Sequence, residues 1–324
     1  MTLALIVPVH NDADGLSVLL QRAAELDCFD QVVIVDDASD IPLSESDLPE
    51  SLRDRSLLLR SDESGGAGHA RNRALEVVDT ESLLFFDSDD LLTGELPCLW
   101  RELQGRAFDF CLFKHHDSRV LERDGWGQMP VDNMLWRLAG VSAGGLRVPD
   151  SAARPCLAET ANYPWNKIYR TGFLRENRLK FSEIPVHNDI AVHWDSFSCA
   201  ENILVSDRVA AIHFVRPGGQ RLTNRRSRDR LRVFEPLRHA AEGIRDRQGA
   251  QSPLMLALIR FSFGLMNWVR GNIPEKIRGE YDRRAAGFID CLLDEGRALD
   301  WLNRRDPVLC LKILLMQAQG RGIA

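Results

Sequence analysis

Two hydrophobic rhythms alternate along the N-terminal third of the chain. LALIVPV (3–9), QVVIVDD (31–37) and SLLFFDSDD (82–90) carry continuous apolar runs of strand length, the pattern of strands covered on both faces. Between them DADGLSVLLQRAAEL (12–26) sets Leu16, Leu19, Leu20, Ala23 and Leu26 at helical spacing behind a capping Asp12, and HARNRALEVV (69–78) reads as a second helix. SLLLR (56–60) supplies a short further strand. Strands alternating with helices predict βαβ units and a mostly parallel sheet.

Past residue 108 the rhythm changes. DFCLFKHHDSRVLERDG predicts strands that extend the sheet in antiparallel fashion, and 125–160, rich in Gly and Pro, reads as irregular. From about 228 onward the pattern is helical, with breaks at Pro253, Pro274 and Pro307. The expected organisation is an α/β domain over 1–215, then a basic linker and helical region over 216–324.

Composition changes this picture little. The 324 residues are 44% apolar and 27% charged, ordinary values for a globular protein. A net charge of −6 gives no reason to expect nucleic acid as a partner. Seven scattered cysteines with no C-x-x-C pair argue against a disulfide framework and for a reducing compartment. The N-terminus lacks the basic and small-residue features of a signal peptide, and 253–269 is too short for a bilayer span and carries Arg260 in its middle. A cytoplasmic protein is expected, with peripheral contact at the inner face of the membrane left open.

The acids are more informative. Asp87, Asp89 and Asp90 follow directly on a core strand, where carboxylates repel one another and resist burial. A divalent cation would offset that cost, and so would orphan N–H groups of a helix starting at LLTGELPCLWREL. Two apart in extended backbone, Asp87 and Asp89 point to one side, which suits a hard cation. The first strand likewise ends in Pro8-Val9-His10-Asn11 and the second in Asp36-Asp37. Ligands of open parallel sheets sit beyond such carboxyl ends, so three polar clusters at one edge describe a site. SGGAGHARNRALE (64–76) adds glycines that let backbone N–H groups approach an anion, and Arg71 adds a fork for phosphate.

VPVHN, VVIVDDAS, GGAGHARNRAL and LLFFDSDD, in that order and at these spacings, resemble the motifs of a family 2 glycosyltransferase of the GT-A fold. YPWNKIYRTGFLRENRLKFSEIPVHNDIAVHW (163–194) is similar to that family's acceptor-side segment, and HFVRPGGQRLT (213–223) to the segment closing over the diphosphate. The resemblance covers roughly residues 3–223. It implies a Rossmann-like sheet flanked by helices, a nucleotide-diphosphate sugar as donor, a glycan or lipid-linked acceptor, Mn²⁺ or Mg²⁺ as cofactor, and transfer with inversion.

Residue by residue, it implies that Pro8, His10 and Asn11 line the nucleotide pocket and that Asp37 accepts a hydrogen bond from the base. Gly66 and Arg71 would face ribose and diphosphate, and Ser88 would belong to the same donor site. Asp89 would bind the metal, with Asp87 on the ribose or a metal-bound water and His213 as a further metal candidate. Arg216 and Arg221 would meet the diphosphate, and Asp189 would be the base, unless it merely caps its helix. Three departures stand out: Asn188 where the family usually has glutamate, His10 for tyrosine, and Ala38 for glycine. Ala38 predicts that its turn avoids positive φ.

Histidines 115, 116, 187 and 193 read as packed or surface residues, since no Cys/His pairing supports zinc. Two other functions compete. A nucleotidyltransferase would want a Gly-rich basic loop directly after the first strand, where PVHND stands. A non-catalytic nucleotide-sugar-binding homologue has only Asn188 in its favour.

Overall fold

The structure is a computed structural model that describes residues 1–121, 125–215 and 227–323. Eight strands form one sheet in the order β3-β2-β1-β4-β7-β6-β8-β5. They are β1 (Leu3–Val9), β2 (Gln31–Asp36), β3 (Ser56–Arg60), β4 (Ser82–Phe85), β5 (Leu91–Leu92), β6 (Phe110–Asp117), β7 (Lys167–Arg170) and β8 (Ile203–His213). β1 to β4 make the parallel half: β1 pairs with both β2 and β4, and β2 with β3. β7 then runs antiparallel between β4 and β6. β6 and β8 are parallel, with a register shift around Lys114, and β5 closes the edge antiparallel to β8.

The apolar runs behave as their pattern requires, since every residue of β1 and β4 is buried. One sheet face is covered by the helices Ala13–Leu26 and Glu95–Leu103, through Leu16, Leu19, Leu20, Leu96 and Leu99. The other is covered by Gly66–Val77 and Ile190–Cys199. Phe234–Gln248 packs on Ile190–Cys199, and the later helices Pro253–Gly271, Arg278–Leu292 and Pro307–Gly320 continue that same apolar core. Pro253 and Pro307 open their helices, where a missing N–H costs nothing.

Several local expectations change. The acids at 87–90 are not extended: Asp90 N–H donates to the Asp87 carbonyl at 3.2 Å, closing a turn. Leu91–Leu92 is a strand rather than the start of a helix, so neither Asp89 nor Asp90 caps one. The region 125–160 contains the helix Pro130–Leu138, anchored by buried Leu135 and Trp136. Ala38 does take positive φ, +57°, against the expectation from its side chain. The surrounding bonds explain it: Ser39 N–H donates to Asp36 at 2.8 Å and Asp37 N–H to the Val9 carbonyl at 2.8 Å, fixing the chain on both sides.

Candidate active site

Pro8 marks where the crevice opens. Ile6 accepts from Phe86 N–H at 2.8 Å on the β4 side, and Ile6–Phe85 is the last β1–β4 pair. By strand alternation Pro8 faces the same side two residues later, beyond the end of β4, where its absent N–H breaks no ladder bond. From there the chain passes to His10, whose Nδ1 lies 2.8 Å from the Asp37 carbonyl oxygen. Asn11, at φ +54°, donates its N–H to Ser39 Oγ at 2.9 Å and accepts from Asp40 N–H at 2.8 Å. The loops after β1 and β2 are thereby stitched together.

Asp36 and Asp37 are both buried but do different things. Asp36 holds the β2 loop and pairs with Arg60. Burial alone would raise its carboxyl, but the donors from Ser39, Leu43 and Arg60 outweigh it and hold the group below the usual range. Asp37 accepts from Ser64 Oγ at 2.7 Å, Gly65 N–H at 2.9 Å and Gly66 N–H at 2.8 Å. The Gly66 N–H, expected to face phosphate, is therefore spent on Asp37. Gly68 has a separate reason to be glycine: a Cβ there would lie 2.3 Å from the Ser182 carbonyl oxygen.

Arg71 joins the glycine helix to the acids. Its guanidinium pairs with Asp87, donates to Asn188 Oδ1 at 3.0 Å and lies over the Phe181 ring at 5.1 Å. It is 4% exposed. Two of its guanidinium nitrogens are thus engaged by Asp87 and Asn188. Ser88, also expected on the donor, gives its hydroxyl to Asp12 at 2.6 Å. That contact explains why Asp12 makes no capping bond to its own helix, contrary to the sequence reading.

Asp87, Asp89 and Asp90 bring carboxylate oxygens within 4.8 Å of one another, the only such acidic or metal-ligating group among the described residues. An all-oxygen donor set of that size fits a hard divalent cation. Asp90 contributes from behind: it accepts from His213 Nδ1 at 2.9 Å and from Phe214 N–H at 3.0 Å. Burial raises its carboxyl above the ordinary range, against the pull of His213. His213, a metal candidate from sequence, thus spends Nδ1 on a carboxylate, an arrangement that fixes the orientation of its ring. It packs near Tyr163, with centroids 4.8 Å apart.

Asp189 sits at the N-cap position of Ile190–Cys199 with no side-chain capping bond, so the capping explanation for this acid fails. Burial pushes its carboxyl up to about 6, with Asp87 adding to the rise and Arg71 and Lys167 opposing it. Lys167 is fully buried and brought down to about 7 by that burial. It donates to the Tyr163 carbonyl at 2.9 Å and to Asn166 Oδ1 at 2.6 Å. The sequence reading named neither Lys167 nor Asn166 as a site residue, although both stand in the quoted YPWNKIYR motif. Arg216 and Arg221 lie outside the described residues.

The end of β4, the glycine helix and the 182–189 segment therefore meet at Arg71, while the ends of β1 and β2 join the start of that helix through Asp37. Residues 4–140 match the model of glycosyl transferase family 2. That stretch is similar to the family. Among curated proteins it is 29% identical over 198 residues to the poly(ribitol-phosphate) beta-N-acetylglucosaminyltransferase TarS of Staphylococcus aureus, a match covering 56% of this chain and 30% of TarS. The match thus spans under a third of that relative's length. The crystal structure of S. aureus TarS 1–349 in complex with UDP-GlcNAc superposes with a TM-score of 0.73 at 21% identity, covering 99% of this chain and 92% of that one. The mannosyltransferase PcManGT from Pyrobaculum calidifontis, in complex with GDP-Man and Mn²⁺, gives 0.52 at 16% identity, covering 98% and 86%. These likenesses show the fold, the GT-A arrangement expected from the sequence. Among the described residues no helix is long and apolar enough to cross a membrane.

Proposed function

We propose that this chain transfers a sugar from a nucleoside diphosphate sugar to a hydroxyl of a glycan or glycolipid acceptor, with inversion, in the synthesis of a surface polysaccharide. One observation carries the reading: Arg71 stands between the acidic turn at 87–90 and the uncapped carboxyl of Asp189. Leaving-group stabilisation and proton removal are thus held by one buried cation. His10, Asn11 and Asp37 would bound the nucleoside beside Pro8. Asp89, with Asp87, would hold Mn²⁺ or Mg²⁺, which when bound supplies positive charge to the departing diphosphate.

In the transfer, the acceptor oxygen forms its bond to the anomeric carbon as the carbon–oxygen bond to the diphosphate breaks. The bonding pair leaves with the diphosphate, and the acceptor proton passes to Asp189. A base held near 6 is ionised at neutral pH yet still basic enough to assist. Arg71 stops Asp87 and Asn188 from drifting, and Lys167, pinned by Tyr163 and Asn166, supplies a field that partly offsets the cost of ionising Asp189. Donor binding and catalysis would belong to 1–215, with Arg216 and Arg221 on the diphosphate and the helical remainder on the acceptor side. The enzyme would work in the cytoplasm, meeting lipid-linked acceptors at the inner face of the membrane.

The test is thermal stabilisation by UDP, GDP, dTDP and CDP, each with and without Mn²⁺, in the wild type and Asp89→Ala. A ligand that binds only the native state raises its melting temperature. Stabilisation by one nucleotide that needs metal and disappears in the variant supports the reading. No stabilisation by any of the four removes its foundation.

A further inference from the structure

The helix Pro253–Gly271 packs one face on the shared core, yet it leaves Trp268 47% exposed. This indole is not a loose surface ring. The guanidinium of Arg230, a residue only 2% exposed, lies over it at 4.5 Å. The His187 ring meets it edge to face, with centroids 6.3 Å apart and planes at 87°. A buried cation on one face and an aromatic at the edge fix the plane of the indole and leave its remaining surface to solvent.

Its neighbour gives the position meaning. His187 is two residues before Asp189 and is held at φ +64°, a conformation that side chains other than glycine adopt at a cost. The chain accepts that cost directly beside the base. Nε2 of His187 is buried and has no hydrogen-bond partner. An exposed indole held in place by Arg230 thus lies against His187, two residues before the carboxyl of Asp189.

Resting on the transferase reading, we propose that Trp268 is the platform on which a pyranose ring of the acceptor stacks, with His187 at its edge, so that a ring hydroxyl is presented to Asp189. A flat indole matches the apolar C–H face of a pyranose. An acyclic polyol phosphate offers no such flat face. The C-terminal helices thereby acquire a role in recognition that the donor motifs do not predict.

The experiment uses the full chain on an array of gluco-, galacto-, manno- and N-acetylhexosamine pyranose oligosaccharides together with poly(ribitol phosphate), with UDP and Mn²⁺ present. Wild type, W268F, W268A and W126A are compared; Trp126 is a second exposed tryptophan, stacked on His116 instead. Melting temperatures with and without UDP are read on the same samples. The expected result is wild-type binding to a pyranose glycan, weakened at least tenfold in W268A and within about threefold in W268F and W126A. The proposal is overturned by W268A binding as the wild type does, by a loss in W126A without one in W268A, or by binding to poly(ribitol phosphate) alone. Trp268-dependent glycan binding without any nucleotide stabilisation would sink the transferase reading and leave the platform standing.

Discussion

Asp189→Asn separates the chemistry of the site from its cost to the fold. The carboxyl is moved from 3.8 to about 6, chiefly by burial. A folded-state value above the unfolded one means that the folded chain binds this proton more tightly. Stability is therefore fullest below about pH 4 and falls as pH rises through the window between 3.8 and about 6. At pH 8 the ionised group costs roughly 3 kcal/mol, at about 1.4 kcal/mol per pH unit of displacement. Asparagine keeps the shape and removes the charge, and Asp189 makes no capping bond for it to lose. With an unfolding entropy of roughly 0.7 kcal/mol/K for a chain of this length, the variant should melt about 4 °C higher at pH 8. The gain should shrink by about half at pH 5, where the native carboxyl is mostly protonated. Transfer should fall by roughly 10²–10⁴-fold, the usual contribution of a general base, whereas wild-type activity should rise with pH through about 6. Scanning fluorimetry at the two pH values, beside a donor-turnover assay, reads all three quantities. An Asp189→Asn protein that melts lower at pH 8, or that turns over donor within threefold of wild type, refutes the reasoning.

Other substitutions probe the scaffold. Arg71→Ala strips a cation from Asp87 and Asn188 and should cost roughly 3–5 kcal/mol, the range for breaking a buried pair, seen as a lower urea midpoint. Unchanged stability would mean the pair is solvated. Gly68→Ala drives a methyl into the Ser182 carbonyl and should lose about 2–3 kcal/mol, with activity falling as the 182–189 segment shifts; thermal melts and turnover measured together would show it. Ala38→Gly relieves positive φ, worth roughly 1–2 kcal/mol, against about 0.4–1 kcal/mol of added freedom in the unfolded chain, so a small net gain in melting temperature is expected. A loss would show that the turn carries no strain.

β1, β2 and β4 were legible because they are buried on both faces and so lack polar interruptions. The family motifs likewise marked the residues that gather at the strand ends. What the sequence concealed were destinations of side chains. Arg71 reads as a phosphate ligand with no hint that Asp87 and Asn188 also engage it, and Asp12 looks like a cap until Ser88 claims it. Both partners are distant in sequence, and no periodicity encodes such contacts. Leu91–Leu92 was read as the start of a helix because two leucines suit either state, and pairing with Ile212 and Ala211 decided the matter. Ala38 misled for a similar reason: residue preference predicts φ only where tertiary bonds do not overrule it.

The shared core has a consequence for anyone recombining this chain with a relative. Phe234, Leu237, Ala240 and Ile244 belong to the same packed cluster as Ile6, Val33 and Phe85 of the central strands. A chimera joined just after β8 would bring together two halves of an interior shaped against different partners, even with every donor motif intact. Crossovers within the exposed edge at β3, where burial is incomplete, would disturb far fewer such contacts. The permissible seams of this protein follow its packing rather than its motifs.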